Sequence, residues 1–413
     1  MKGIFNQNKT LEFGLDFILF IVAFSIPFSS AFNSISIAVL FLYSFLWMLK
    51  KDPFYLNKNK RYIFLFLLFF GIQLVGITYS NNTFIAVKTV SKNLPFLFFP
   101  ILFINLSNNI NKKQIQIAIY GLLTGIILIL FTAHYSILSK IINENLSIKT
   151  LFNHFIREKF IENSIVTIHT PYFGLLTIFA LIASYKLNFI ANKKANQIFK
   201  LFLILYLIFS IYEISAFMSQ LLLVVFFIVR IFDYIKRRKM KNLFLIFILL
   251  TMTLGLIYGL RGSSKNIKGA ETIFNRFEMI IHNGDNTRME NWKSVISVIQ
   301  KNIAFGVGSD GGLNQLQNYR DKKSEPYINA HNAHNQYLEI LLRYGLVGFV
   351  IFLVLIFKLF EQAYISKNYH FIWFMILFLI ASISESLLQR QIGIVFFTFY
   401  SGLFLVNRDK KTS

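Results

Sequence analysis

The chain has 413 residues, 55% of them hydrophobic and only 15% charged, with a mean hydropathy of +0.56, which is too apolar for one water-soluble core and excludes an ordinary soluble globular domain. Forty-two Lys plus Arg against 19 Asp plus Glu give a formal charge of +23. In a soluble chain that excess would point to nucleic acid, but here the basic residues cluster in short segments between apolar runs, where they act as topology signals, and no nucleic-acid partner is expected.

Apolar runs of about the 20 residues needed to cross hydrocarbon recur along the whole sequence, and they are continuous rather than alternating, which selects helices over a barrel. The expected fold class is therefore all-α: a polytopic membrane helix bundle of about 12 transmembrane helices with a large helical loop on the outer side. Taken in chain order, spans are predicted near 15–31, 34–49, 62–79, 94–106, 115–138, 170–187, 198–212, 217–235, 243–260, 337–357, 370–388 and 391–406. The first is expected to be a retained span, because no small-residue cleavage site follows it and a second run starts almost at once. The fourth and seventh are short enough to be re-entrant or tilted. Placing the amino terminus in the cytoplasm puts the basic connections at 50–61, 107–114, 186–197, 236–242 and 358–369, and the tail "NRDKK", on the inside. Both termini are then cytoplasmic. The chain divides into residues 1–260 with nine spans, an outer-side loop at 261–336, and residues 337–413 with three spans and the tail.

Two outer connections, 139–169 and especially 261–336, are too long to be simple turns, and loops of that size are usually functional. In the larger, Thr287 and Glu290 are spaced as a capping box, and Met289, Trp292, Val295, Ile296 and Ile299 recur on one helical face. This predicts an amphipathic helix lying on the membrane or over the bundle. It stops at "KNIAFGVGSDGG", where Gly306, Gly308, Gly311 and Gly312 permit an irregular reversal. That loop lacks the GK[ST] ending of a phosphate-binding loop and follows a helix, so nucleotide binding is not expected.

Arg288 falls in the first turn of the capped helix. A cation there faces the positive end of the helix dipole, and a bound anion would compensate it, since free backbone N–H groups and a guanidinium suit phosphate oxygens. A stack on Trp292, or an ion pair with Asp285 or Glu290, would compensate it equally. His331, His334, Asn335 and Leu338 follow i, i+3, i+4, i+7 spacing and share a face if the next span begins early, with Asn332 as its cap. A neutral imidazole can take a proton from a hydroxyl at neutral pH. Two interfacial histidines hydrogen-bonded to loop carbonyls are the plainer alternative. A metal site would need a third ligand that the sequence does not place, and without cysteine no thiolate site exists. No metal or other cofactor is expected. Glu213, Glu385 and Arg390 are ionisable residues in or near spans and need partners; all three fall close to predicted outer turns.

Together, "TRMENWKSVISVIQKNIAFGVGSD" and "HNQYLEILLRYGLVGF" resemble the O-antigen ligase and polymerase superfamily of bacterial envelope glycosyltransferases: an Arg, a Trp four residues later, a Gly-x-Gly turn, then His-Asn, aromatic-Leu and Gly-x-x-Gly where the next span begins. "HTPYFG" at 169–174 and "SESLLQRQIG" at 384–393 are weaker echoes. The resemblance implies transfer of a glycan from undecaprenyl diphosphate to a sugar hydroxyl, on the periplasmic side of the bacterial inner membrane and without a metal. The acceptor is lipid A core in a ligase and another lipid-linked glycan in a polymerase; membrane lipids complete the partners. It also implies Arg288 at the diphosphate and His334 as base or hydroxyl-orienting group, with His331, Asn335 and Trp292 contacting substrate. The chain departs from the family in "EISAFMSQLLL", where Met218 stands in place of a mid-chain arginine; Arg261 is the candidate substitute. A transporter of lipid-linked sugars is the reading from a different class. It would be expected to show internal repeats, and none is evident.

Overall fold

A computed structural model describes residues 2–50, 60–146, 160, 164–214, 216–236 and 286–406. Among these residues every regular element is helical, in this order: α1 Lys2–Ser25, α2 Ser30–Lys50, α3 Lys60–Thr78, α4 Thr83–Lys92, α5 Pro95–Asn105, α6 Lys112–Asn143, α7 Thr170–Ser184, α8 Lys193–Ile214, α9 Phe217–Lys236, α10 Asn286–Lys301, α11 Leu313–Gln317, α12 Glu325–Ile328, α13 Gln336–Ile365, α14 Tyr369–Ala381 and α15 Gln391–Leu405. Six are long and apolar enough to cross a membrane: Ser30–Leu49, Arg61–Thr78, Thr83–Asn105, Lys112–Asn143, Lys193–Ile214 and Gln336–Ile365. Shorter apolar helices lie at Phe13–Ser25, Thr170–Ser184, Tyr369–Ala381 and Gln391–Leu405. The chain thus has the all-α, polytopic architecture that its composition predicts. The expected span at 243–260 lies outside the described residues.

Local chemistry explains where expected and observed boundaries differ. The first helix ends at Ser25 rather than 31 because Pro27 follows, and proline has no N–H with which to continue the ladder. Asn33 and Ser36 of α2 then meet Ser25 of α1 at 2.9 and 2.7 Å, closing a buried polar knot at this hairpin. The short fourth span is the second half of a broken one. α4, capped by the Asn82 side chain on the Ile85 N–H at 3.0 Å, runs into α5 across a break just before Pro95.

Two compact units emerge, Met1–Leu122 with Asn286–Ser413, and Leu123–Asp285. In the first, aromatic rings fill the space between helices: Phe397 of α15 lies 4.4–6.3 Å, centroid to centroid, from Phe66, Phe96, Phe374 and Phe378. Lipid is as apolar as these rings, so interdigitation and ring geometry, rather than escape from water, stabilise the packing. In the second unit α7 is buried along its length from Tyr172 to Ser184 and packs against α8 and α9.

α13 is interrupted. Gly345 has φ 59° and ψ −162°, which opens the helix between Tyr344 and Leu346. In an unbroken helix the N–H groups of Leu346 and Val347 would bond the carbonyls of Leu342 and Arg343. Instead they donate to Ile303 O at 2.8 Å and Ala304 O at 3.3 Å, while Leu342 O and Arg343 O accept from Val307 N and Gly308 N, both at 2.9 Å. The glycine loop is spliced into the gap and satisfies all four groups, which inside a membrane would each cost several kcal/mol if left unpaired. A Cβ on Gly345 would overlap the Ala304 carbonyl, and one on Gly306 would overlap the Arg343 backbone. The loop also finishes α3: Ser309 donates its N–H to Gly76 O at 3.1 Å and its hydroxyl to Gln73 O at 2.6 Å.

Candidate functional site

α10 packs over the start of α13 on a face that keeps Val295 and Ile299 of the apolar stripe its spacing predicts but is turned toward Val298. Val295, Val298 and Ile299 are buried with Val307, Leu316, Ala333 and Leu342, whereas Met289 and Ile296 are 48% and 42% exposed. The buried stripe includes the polar residue Asn291, and half-buried Asn302 follows just past the helix. Asn291 Nδ2 donates to Asn332 O at 2.7 Å, and Asn302 Nδ2 donates to Gln315 Oε1 at 3.1 Å. Since α10 begins at Asn286, Thr287 lies within its first turn.

The histidines are brought together, but not on a helical face. α13 begins only at Gln336, and its cap is Asn335, whose Oδ1 accepts the N–H groups of Tyr337 and Leu338 at 3.0 and 3.1 Å. Asn332 instead accepts the His334 N–H at 2.9 Å, supporting a tight turn in which His334 has φ 45°. The expected i, i+3 register therefore gives way to a folded turn, 331–335, that places the two imidazoles edge to face with centroids 5.1 Å apart.

Glu385 supplies what local sequence did not show. It lies buried in the turn between α14 and α15, with its carboxylate 3.4 Å from His334 Nδ1. A carboxylate at Nδ1 holds the proton on that nitrogen and leaves Nε2 as the acceptor. His331 Nε2 faces Glu325 Oε1 at 3.9 Å. Burial, then the neighbouring His334, hold the His331 ring below its ordinary pKa, with Glu325 pulling upward, Arg320 downward and Glu385 upward. Arg320, almost fully buried, fastens this turn to α10: it donates to Asn291 Oδ1 at 2.6 Å, His331 O at 2.7 Å and Pro326 O at 3.1 Å.

Arg288 is exposed on the first turn of α10, one helical turn before Trp292. Trp292 donates its indole N–H to Ala333 O at 2.9 Å. Residues four apart on a helix are neighbours, about 5–6 Å between Cβ atoms, so Arg288 stands beside the residue that docks on the histidine turn. The polar groups of Trp292 and Asn335 are both engaged within the protein, the former on Ala333 and the latter on the cap. Arg261 lies outside the described residues, and Met218 sits in the first turn of α9. Among the described residues, no group of three or more His, Asp or Glu is placed to hold a metal ion. Arg390 is exposed at the N-cap position of α15, while Glu213 is buried near the end of α8.

Arg343 and Glu339 went unmarked in the sequence although a signal was present. Both are ionisable residues inside the run 337–357, where charge in a span demands a partner. Each is the other's: Nε and Oε1 are 2.6 Å apart.

The O-antigen ligase family model matches residues 199–353, from within α8 to the second half of α13. The match takes in Arg288, Trp292, both histidines, the glycine loop and the broken helix; Glu385 lies beyond it. No curated protein matches this chain as a relative. The match supports the O-antigen ligase superfamily and, with it, ligase- or polymerase-type function as a membrane enzyme of the glycosyltransferase kind that acts on lipid-linked glycans. Together with the apolar helices, it supports a place in the bacterial inner membrane.

Proposed function

We propose that this protein is an O-antigen ligase-like glycosyltransferase that moves a glycan from undecaprenyl diphosphate to a sugar hydroxyl of lipid A core, on the periplasmic side of the inner membrane with both termini in the cytoplasm. The observation that carries this reading is the histidine turn itself: His334 stands with a carboxylate at Nδ1 and lies on the turn to which the Arg288-bearing helix is docked.

In the proposed reaction the acceptor hydroxyl oxygen attacks the anomeric carbon of the glycan, and the bond from that carbon to the diphosphate oxygen breaks. His334 Nε2 takes the hydroxyl proton, with Glu385 stabilising the imidazolium. The diphosphate leaves with the bonding electron pair, and Arg288 meets the negative charge as it grows, where a fixed guanidinium contributes most. Charge on the leaving group is thus met by protein, and the proposed step proceeds without a metal. His331, its ring held neutral at pH 7, orients the acceptor. Trp292 and Asn335 border the substrate and shape the turn, and Arg261 is the candidate for a second diphosphate contact.

The test is reconstitution of the full chain in vesicles with undecaprenyl-diphosphate-linked glycan. Glycan appearing on added lipid A core supports the ligase. Lengthening of lipid-linked glycan without added core would make the enzyme a polymerase, and passage of lipid-linked sugar across the vesicle with no new glycosidic bond would overturn the transferase reading.

A further inference from the structure

Glu339 and Arg343 stand one turn apart at the start of α13, 1% and 8% exposed. Their pairing at 2.6 Å uses only part of each group. The other carboxylate oxygen of Glu339 accepts the Ala333 N–H at 2.9 Å. Arg343 donates through Nη1 to Ser309 O and through Nη2 to Gln389 Oε1 at 3.0 Å. One ion pair therefore touches the histidine turn, the glycine loop and the turn that carries Glu385.

Removing two charges from water is costly, and a well-packed apolar pair is often as stabilising as a buried ion pair. What the ion pair adds is direction, because the guanidinium is a rigid fork of five donors and each carboxylate oxygen accepts along defined lines. Direction is what the turn requires. His334 holds φ 45°, a conformation that a residue with a β-carbon keeps only when its surroundings fix it. The residue before it is gripped on both sides, Ala333 N–H by Glu339 and Ala333 O by Trp292.

We propose that Glu339 and Arg343 are positioning residues for His334: without touching substrate, they hold the histidine turn and the Glu385 turn in the mutual placement that aims the imidazole at the acceptor hydroxyl. The proposal rests on the reading of His334 as the base.

The full chain is assayed in vesicles with lipid-diphosphate-linked glycan and acceptor, comparing wild type, His334→Ala, Glu339→Gln and the double variant Glu339→Gln/Arg343→Gln. In Glu339→Gln an amide NH2 competes with the guanidinium or with the Ala333 N–H, so one contact fails. The expected result is a fall in kcat of about 10²-fold per folded molecule, the loss that a misplacement of about 1 Å produces, with the donor KM little changed. The double variant, an amide pair able to hydrogen-bond to itself, recovers part of that loss. Because the chain has no cysteine, Ala333→Cys introduced into each background reports the turn directly: the thiol is protected from a water-soluble maleimide with Glu339 present and labelled without it. Wild-type kcat in Glu339→Gln, or a loss no greater than the loss of folded protein, overturns the positioning role. If His334→Ala is inactive while Glu339→Gln is unimpaired, only this inference falls; if His334→Ala transfers glycan at the wild-type rate, the underlying reading fails and takes the inference with it.

Discussion

His334 and Glu385 are 51 residues apart in the chain and meet in the fold, Nδ1 of the imidazole standing 3.4 Å from the carboxylate. That pairing gives the histidine a defined proton donor side and a defined acceptor side. His334→Ala is expected to lower transfer by about 10²- to 10⁴-fold, the usual contribution of a general base. Glu385→Gln is expected to lower kcat to a smaller extent while leaving the donor KM unchanged, since it acts through the ring. Initial rates on reconstituted protein check both, and full activity of His334→Ala would remove it from the mechanism.

Arg288→Lys keeps the charge but loses the planar fork that matches two phosphate oxygens at once. A reduction in kcat of about 10²- to 10³-fold is expected if the guanidinium meets the leaving group's growing charge. Weaker ground-state binding alone would instead raise KM at unchanged kcat, and the steady-state split between the two parameters decides.

Gly345→Ala tests the splice in α13. The backbone there occupies a region open essentially to glycine, a strain of about 1–3 kcal/mol for alanine before the overlap with the Ala304 carbonyl is added. The variant is expected to melt at lower temperature in detergent and to lose activity as α13 and the glycine loop separate. An unchanged melting temperature would mean that the break is not required.

His331 gives stability a pH dependence. Its pKa is held below the ordinary 6.5 by burial and then by His334, so as pH falls through that range the unfolded chain takes up the proton before the folded one does. Stability attributable to this group is present above about pH 6.5 and declines on acidification until the folded ring titrates as well. Melting temperatures measured from about pH 7.5 to pH 5 should show a steeper acid limb in wild type than in His331→Gln. Parallel curves would contradict the assignment.

The amino-acid sequence by itself determined the membrane class, the helical fold and the segments that hold the candidate site. Long continuous apolar runs in lipid can satisfy their backbone only as helices, and the Arg288–Trp292 spacing and His-Asn pair are local features. It misplaced what depends on register. The apolar spacing of α10 favoured Met289 and Ile296 over Val298, because Asn291 looks like a surface residue until its partner is known. Asn335 rather than Asn332 caps α13, since three backbone N–H groups in this stretch compete for two asparagine oxygens and only the folded turn decides between them. Tertiary structure alone joined Glu385 to His334 and threaded Ile303–Gly308 into the opening at Gly345. The reason is common to both: an unpaired buried charge or peptide group costs more than a helix of any one sequence can offset, and its partner is supplied from wherever the chain happens to pass.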